Sequence, residues 1–267
     1  MTVPAVLRPF VAGLHAYDVD FGAPGTHRGL PGTSLVFVLP VDDPIEVSWA
    51  DGTGRRTTWS SLAGLHAAPA AIHHTGHQRG VQLGLTVAGA RALFGTPAAA
   101  WRGALLSLDE LDGDRRVSEL RHLPERLAGL PREQWAATVT RTLAGALADH
   151  GATGPRAEIG RALALLTGGA GVRQVADEVG YSRRRLGELV RDETGVTPKE
   201  FQRLARFEAA VRLMGRLPLA DVAERCGYAD QAHFTREWRE FSGCTPTTWL
   251  REELPFVQDD ATSPEGG

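Results

Sequence analysis

Apolar positions in the C-terminal third of the chain follow a pattern that occurs twice. Residues 175–198 and 222–246 each contain apolar side chains at helical spacing, a Gly-Tyr pair and a closing Thr-Pro pair. The interval between the two Thr-Pro pairs is longer by one than the interval between the two Gly-Tyr pairs, so one extra residue enters between Tyr228 and Phe234. A register kept over this length indicates a duplicated structural unit.

Each copy predicts two short helices joined by a tight turn. In the first copy, Val175 and Ala176 lie on the apolar side of one helix, which Gly180 ends. Ser182 is placed to cap the second helix, and Asp230 has that place in the second copy. Two helices joined by a glycine-containing turn predict a helix-turn-helix, and two copies in register make an ordinary helical bundle the weaker alternative.

A longer helix with an apolar stripe at 3.6-residue spacing is predicted between the copies, over residues 198–215. The most specific motifs flank it: Gly180-Tyr181-Ser182, the run 193–198, the run 227–231 and Phe234-Thr235-Arg236. These motifs resemble the two signatures of the DNA-binding domain of the AraC/XylS family of bacterial transcription regulators. The resemblance implies an all-α double helix-turn-helix domain, which we assign to residues 155–253. The sequence departs from the family pattern at Ala232, where a serine is common, and at Trp249-Leu250, near the usual aromatic-arginine ending.

The resemblance also implies which side chains read DNA. Base contacts are expected on the open face of the second helix of each copy, from Arg184, Glu188, Gln231, His233, Thr235 and Arg236. Arginine suits guanine, glutamine suits adenine and threonine can touch a thymine methyl group, whereas Glu188 either accepts from cytosine or repels phosphate. Phosphate contacts are expected from Arg183, Arg191 and Arg239. For every one of these residues, the plainer alternative is a solvated helix face.

Residues 1–150 alternate between short apolar runs and turns, which predicts a β-rich domain. Residues 35–40 form a buried-strand candidate, residues 45–49 alternate like a half-buried strand, and residues 56–59 can return as a hairpin. A series of such strands indicates a small sandwich or barrel. Helices are expected near residues 112–128 and 131–150.

Members of the family often carry a cupin-like β-barrel as their sensor domain. The predicted fold class is therefore α+β with two domains. A β-rich, cupin-like barrel with flanking helices occupies residues 1–150, and the all-α double helix-turn-helix follows. The N-terminal domain is expected to sense a small molecule or to mediate dimerisation.

A pocket inside this domain is expected to be lined by Phe37, Trp49, Trp59 and His73. His73 and His74 are adjacent, so in a strand they point to opposite faces, and no His-x-His followed by a spaced Glu is present. We therefore expect no metal, no cofactor and no catalytic residue. The rival hypothesis is a cupin-type small-molecule binder or metalloenzyme with an appended DNA-binding domain, and metal analysis of the purified protein would separate the two.

Charge is distributed unevenly along the chain. The net charge is −3, but residues 156–251 contain 16 Lys and Arg against 13 Asp and Glu, so this segment carries +3 and the remainder −6. A basic surplus on the duplicated segment supports double-stranded DNA as the partner. RNA polymerase, a small-molecule effector and a second copy of the chain are further candidate partners.

Composition bears on where the protein works. Two cysteines fit a reducing compartment, and no apolar run is long enough to span a membrane, so a cytoplasmic location without membrane contact is expected. Residues 151–155 are the best linker candidate. The polar tail at residues 254–267 is expected to be disordered.

Overall fold

The structure is a computed structural model that describes residues 3–111, 115–148 and 155–253. Of the predicted linker, only Pro155 falls within these ranges, and the tail at 254–267 lies outside them. The strands are β1 Val11–Asp20, β2 Gly25–Gly29, β3 Leu35–Pro40, β4 Ile45–Trp49, β5 Arg56–Thr58, β6 Ser61–Ala63, β7 Ala70–His74, β8 His77–Leu85 and β9 Leu105–Leu106. The helices are α1 Val87–Phe94, α2 Arg115–Arg121, α3 Leu123–Ala128, α4 Arg132–Ala148, α5 Ala157–Thr167, α6 Val172–Glu178, α7 Arg183–Thr194, α8 Pro198–Leu213, α9 Leu219–Arg225, α10 Gln231–Ser242 and α11 Pro246–Glu252.

The strands form two antiparallel sheets. One sheet has the order β1-β8-β3-β6-β9 and the other β2-β7-β4-β5. Strands β3 and β4 have the predicted bounds, and β5 returns on β4 as the predicted hairpin. The predicted β-rich domain is thus confirmed, with its barrel built as two separate sheets in the described part of the chain.

The larger sheet is covered on both faces, and the alternation along β3 decides which side chain goes where. Leu35, Phe37 and Leu39 are fully buried in the core that includes the helices, whereas Val36 and Val38 point to the space between the sheets. This is the period-two alternation of a strand. Strand β3 therefore separates a packed core from an internal cavity.

The helices of the N-terminal region pack on one face of the larger sheet. The single helix predicted near residues 112–128 is two helices, α2 and α3, and Pro124 lies in the first turn of the second. Proline lacks a backbone N–H, so it is tolerated at a helix start but interrupts a continuous helix. The fully buried Trp135 of α4 donates from Nε1 to the carbonyl oxygens of Leu127 and Leu130, 2.9 Å away in each case, which ties α4 to the end of α3.

Residues 157–252 fold as the predicted double helix-turn-helix. Helices α6 and α7 form the first unit, α9 and α10 form the second, and α8 joins them. The joining helix starts with a capping box, in which the Thr197 side chain accepts from the Glu200 N–H and the Glu200 carboxylate accepts from the Thr197 N–H. It ends at Leu213, just before the predicted Gly215.

The apolar core divides inside α8, away from the predicted domain boundary. One continuous cluster runs from Leu7 through α1 to α7 and ends at Phe201. A second cluster begins at Leu204 and extends to Trp249. The first helix-turn-helix unit therefore shares a core with the N-terminal region, whereas the second has a core of its own.

Candidate nucleic-acid interface

The two recognition helices, α7 and α10, have equivalent starts. The Ser182 side chain accepts from the Arg185 N–H, and the Asp230 side chain accepts from the His233 N–H. Because Asp230 lies one position later than the interval between the Gly-Tyr pairs would place it, the extra residue of the second copy lies in the turn, at Ala229. The insertion precedes the helix and leaves the faces of α7 and α10 in the same phase.

The two helices also end in the same way. The Thr194 hydroxyl donates to the Val190 carbonyl oxygen at 2.7 Å, and the Ser242 hydroxyl donates to the Trp238 carbonyl oxygen at 2.8 Å. Each helix is followed by a glycine in the left-handed conformation. Both helices therefore span 12 residues, and each position in α7 has a counterpart at the same place in α10.

The buried sides of the recognition helices are apolar and the opposite sides are polar. Leu186 and Val190 of α7 are fully buried, as are their counterparts Phe234 and Trp238 of α10. The predicted contact residues Arg183, Arg184, Arg191, Gln231, Arg236 and Arg239 are exposed, and Glu188, His233 and Thr235 are partly buried. Each helix thus presents a basic and polar face of the kind needed to enter a major groove. The individual roles of these residues stay predictions.

Equivalent positions carry opposite charges in the two units. Glu188 in α7 is the counterpart of Arg236 in α10. Glu188 forms ion pairs with Arg184 and with Arg185, within one turn of the same helix. Arg184 is the most exposed of the three, with 83% of its side chain accessible, so its pairing with Glu188 leaves the guanidinium largely open to solvent.

His233 has a local partner in the free protein. Its Nδ1 accepts from the Ala229 N–H at 3.3 Å, and its ring meets the Tyr228 ring edge-on with centroids 5.3 Å apart. The inserted residue is therefore tied back to the first turn of α10. This contact fixes the orientation of the histidine at the start of the helix.

A buried ion-pair cluster that the sequence analysis missed supports α10 from behind. Glu237 is 4% exposed and accepts from Arg203 at 2.8 Å and from Arg206 at 2.8 Å, both on α8. The two guanidinium groups also lie over aromatic rings, Arg203 over Phe241 and Arg206 over Tyr228. Removing one partner from a buried cluster leaves an uncompensated charge, so this arrangement fixes α10 against α8.

Another ion pair joins α7, in the first helix-turn-helix unit, to the N-terminal region. Arg91 of α1 donates from Nε and Nη2 to the two carboxylate oxygens of Glu193, at 2.8 and 2.6 Å. Beside it, Gly195 has φ +80°, and a Cβ at that position would lie 2.7 Å from the Cβ of Arg102. A side chain there would be strained by both conformation and space, so the close docking depends on glycine.

A cavity of about 470 Å³ lies between the two sheets and reaches the C-terminal helices α8 and α11. Its apolar wall comes from both sheets and includes Val36, Val38 and Ile72, and the C-terminal helices close it with Val211 and Trp249. A cavity of this size suits a small molecule.

The predicted lining of this cavity is wrong. Phe37 is fully buried in the core on the other face of β3, and Trp59 is 49% exposed at the surface. Trp49 packs against the His66 ring, and His73 lines a separate cleft, where Thr26 and Ser48 hydrogen bond to it. The physical reason for the Phe37 error is the strand alternation, because a shift of one residue moves a side chain to the other face of the sheet.

The polar groups that line the cavity include the Arg28–Glu253 ion pair, two histidines (His15 and His27), the Tyr17 hydroxyl and two glutamines. Arg28 donates from Nη1 to Glu253 at 2.8 Å and to Glu252 at 3.0 Å, which links β2 to the end of α11. Burial, with the nearby His74 charge second, lowers the pKa of His27 to about 4, so this imidazole is neutral at physiological pH. Its Nδ1 is buried and has no hydrogen-bond partner in the described part of the protein. Burial also raises the pKa of the Glu253 carboxyl, against the opposing hydrogen bonds from Arg28.

Two further properties of the described residues concern metal binding and membrane crossing. Within residues 3–111, 115–148 and 155–253, no group of three His, Cys, Asp or Glu side chains is arranged to hold a metal ion. None of the helices in these ranges is both long and apolar enough to cross a bilayer.

Comparison with known proteins identifies the C-terminal segment. Residues 158–252 match the family model described as a helix-turn-helix domain. The HTH-type transcriptional activator RhaR of Escherichia coli strain K12 is 32% identical over 75 residues, which are 27% of this chain and 27% of RhaR. The chain thus spans about a quarter of the length of this curated relative, and RhaR from Shigella flexneri serotype 5b gives the same figures.

The whole chain resembles a solved two-domain structure. ToxT from Vibrio cholerae O395 superposes with a TM-score of 0.53 at 11% identity, over 92% of this chain and 98% of ToxT. A structure of ToxT from strain SCE256 with an unsaturated fatty acid bound gives a TM-score of 0.54 at 12% identity, over 90% of this chain and 95% of ToxT. At this identity the likeness establishes the fold, namely a β-rich N-terminal domain followed by a double helix-turn-helix.

Proposed function

We propose that this chain, whose residues 158–252 form a helix-turn-helix domain of the AraC type, is a sequence-specific DNA-binding transcription regulator. The observation that carries the proposal is the pair of recognition helices, α7 and α10, with matched ends, buried apolar sides and exposed arginines. The 75-residue match to a transcriptional activator supports it.

The joining helix gives the proposal its geometry. Helix α8 carries the capping box at its start and the Arg203 and Arg206 clamp on Glu237, so it acts as a stiff spacer between the units. We expect α7 and α10 to enter successive major-groove faces on one side of the duplex, about 34 Å apart. The exposed arginines would provide both base and phosphate contacts.

The N-terminal region is proposed to sense a small molecule. Its cavity touches Val211 of the joining helix α8 and Trp249 of α11, so a bound molecule would contact both parts of the chain. The fatty acid in the structure of ToxT supports a ligand site in a protein of this fold. A second copy of the chain and RNA polymerase remain candidate partners, and a DNA-binding regulator of this kind would act in the cytoplasm.

The test is selection of bound duplexes from a random pool by the full-length protein, followed by salt titration on the selected site. We expect two short motifs whose centres are about one helical turn apart, and an affinity that falls steeply with salt as counterions are released. A well-folded protein that enriched no motif would contradict the proposal. Transcription by bacterial RNA polymerase from the selected site, with and without the protein, would then give the sign of regulation.

A further inference from the structure

The cavity contains one arginine that could bind an anion, but carboxylates of the protein already pair with it. Arg28 is the one arginine or lysine among the described residues that line it. The guanidinium donates to two carboxylates, and Glu253, the more buried one, accepts from both the side chain and the backbone N–H of Arg28. An anionic ligand entering the cavity would meet a cation whose charge is already compensated, and it would face the Glu253 carboxylate.

The other ionisable side chains among the described residues of the wall, apart from Glu253, are His15, Tyr17 and His27. His27 is neutral, and its ring stacks on Phe21 with centroids 5.2 Å apart. The side-chain amides of Gln78 and Gln82 also line the wall. A ligand hydroxyl group suits such an amide, because both groups donate and accept hydrogen bonds.

Most of the remaining wall is apolar, from both sheets and from helices α8 and α11. Burying apolar ligand surface there is favourable, whereas a carboxylate would lose its hydration without gaining a free cation. From these contacts we infer that the cavity binds an uncharged, mainly apolar molecule with a neutral hydrogen-bonding group such as a hydroxyl. The inference rests on the proposed function only for the role of the ligand as an effector, because the binding preference follows from the cavity itself.

The experiment compares two probes of equal chain length, 1-decanol and decanoate, by calorimetric titration of the full-length protein near neutral pH. We expect decanol to bind at least about ten-fold tighter than decanoate, a difference of about 1.4 kcal/mol. Decanoate binding as tightly as decanol, or no binding of decanol, would overturn the inference.

Charge variants test the cause of the preference. In the double variant Glu252→Gln, Glu253→Gln, the guanidinium of Arg28 loses both anions, so decanoate binding should strengthen by about ten-fold or more and the preference should shrink or reverse. The single variant Glu252→Gln keeps the buried partner, and we expect it to retain the preference for decanol. An unchanged preference in the double variant would show that Arg28 does not set it.

Two narrowing variants locate the binding. Val36→Phe and, separately, Val211→Phe place a larger side chain in the cavity from opposite sides, and each should abolish decanol binding. Circular dichroism identifies a variant that has not folded, and the other variant then decides. Decanol binding unchanged in both folded variants would place it elsewhere and overturn the inference. DNA selection with the same wild-type preparation tests the proposed function independently, so failure of one leaves the other standing.

Discussion

Glu193 and Phe241 occupy the same position near the ends of α7 and α10, yet their partners lie in different parts of the molecule. Phe241 packs within the second unit, with its ring centroid 5.1 Å from that of Phe207. Glu193 pairs instead with Arg91 of the N-terminal region. The position that completes a core in one unit therefore serves as a docking contact in the other.

The ion pair between Arg91 and Glu193 predicts that removing either partner lowers the free energy of unfolding by a different amount. Arg91→Gln leaves the nearly buried Glu193 carboxylate without its guanidinium, and we expect the free energy of unfolding to fall by about 3–5 kcal/mol. Glu193→Gln removes the charge along with the ion pair, so its cost should be clearly smaller. Denaturant unfolding of both variants checks this, with Arg102→Gln as a control, because its pair with Glu200 is longer and more exposed. Equal costs for the two variants would argue against a buried ion pair.

Two arginines of α10 are expected to contact different parts of the DNA, Arg236 a base and Arg239 a phosphate. Arg236→Ala should cost about 1–3 kcal/mol against the preferred base and relax the selected motif at a few adjacent base pairs. Arg239→Ala should weaken binding to all sequences about equally and reduce the salt slope, because we assign it to phosphate. Binding-site selection with salt titration distinguishes them. If both variants kept the motif of the wild type, our division into base and phosphate contacts would be wrong.

Glu188→Gln tests the acidic position on the first reading face. The substitution removes a negative charge and frees Arg184 and Arg185 from their shared partner. We expect tighter binding to non-specific duplex and a salt slope steeper by up to about 0.9, the value for one added phosphate contact. Protein stability should change by less than about 0.5 kcal/mol, as expected for pairs on a helix surface. Glu178→Gln removes a comparable charge outside the recognition helix, and an identical effect from it would point to net charge alone.

Phe207 tests the core of the second unit. This side chain of α8 is fully buried, and its ring contacts the Trp238 ring of α10. Phe207→Ala should lower the free energy of unfolding by about 3–5 kcal/mol, a large part of the roughly 5–15 kcal/mol typical of a protein. Thermal or denaturant unfolding measures the change, with the exposed Arg216→Ala on the following turn as control. A melting curve like that of the control would place Phe207 at the surface.

The neutral His27 predicts a pH dependence of stability. Its pKa in the folded protein is about 4, below the ordinary value of 6.5. As the pH falls through this interval, the unfolded chain takes up a proton that the folded chain does not, so the free energy of unfolding falls. His27→Gln should flatten this part of the profile, because the variant has no imidazole whose pKa is lowered by burial. Unfolding midpoints measured between about pH 7 and 4 check the slope.

The double helix-turn-helix could be predicted from sequence because its signals are local. Gly180 takes the left-handed conformation at the predicted helix end, Ser182 and Asp230 cap the predicted helices, and Phe207 and Met214 are buried as their spacing indicates. Each of these features depends on residues close in the chain. The motif therefore specifies them without knowledge of the rest of the fold.

The cavity and the interdomain contacts could not be predicted in this way. Arg28 and Glu253 are 225 residues apart, and nothing in either segment marks the other as its partner. Strands β1 and β2 were also missed, because β2 is half-exposed and carries glycine at both ends rather than an apolar run. A glutamate at a position that is apolar in the other copy, as at Glu193 and Glu237, is a local signal that points to a buried partner.

The single core that extends from Leu7 to Phe201 determines where this protein can be joined to another. A hybrid made by exchanging sensor domains at residue 155 would cut through packed side chains and would separate Glu193 from Arg91. A grafted sensor would need a surface that packs against α7 and that approaches Gly195 as closely as Arg102 does. For modular engineering, the sensor and the first helix-turn-helix unit are therefore one exchangeable piece, and a joint in α8 must also replace the contacts of Arg28 with Glu252 and Glu253.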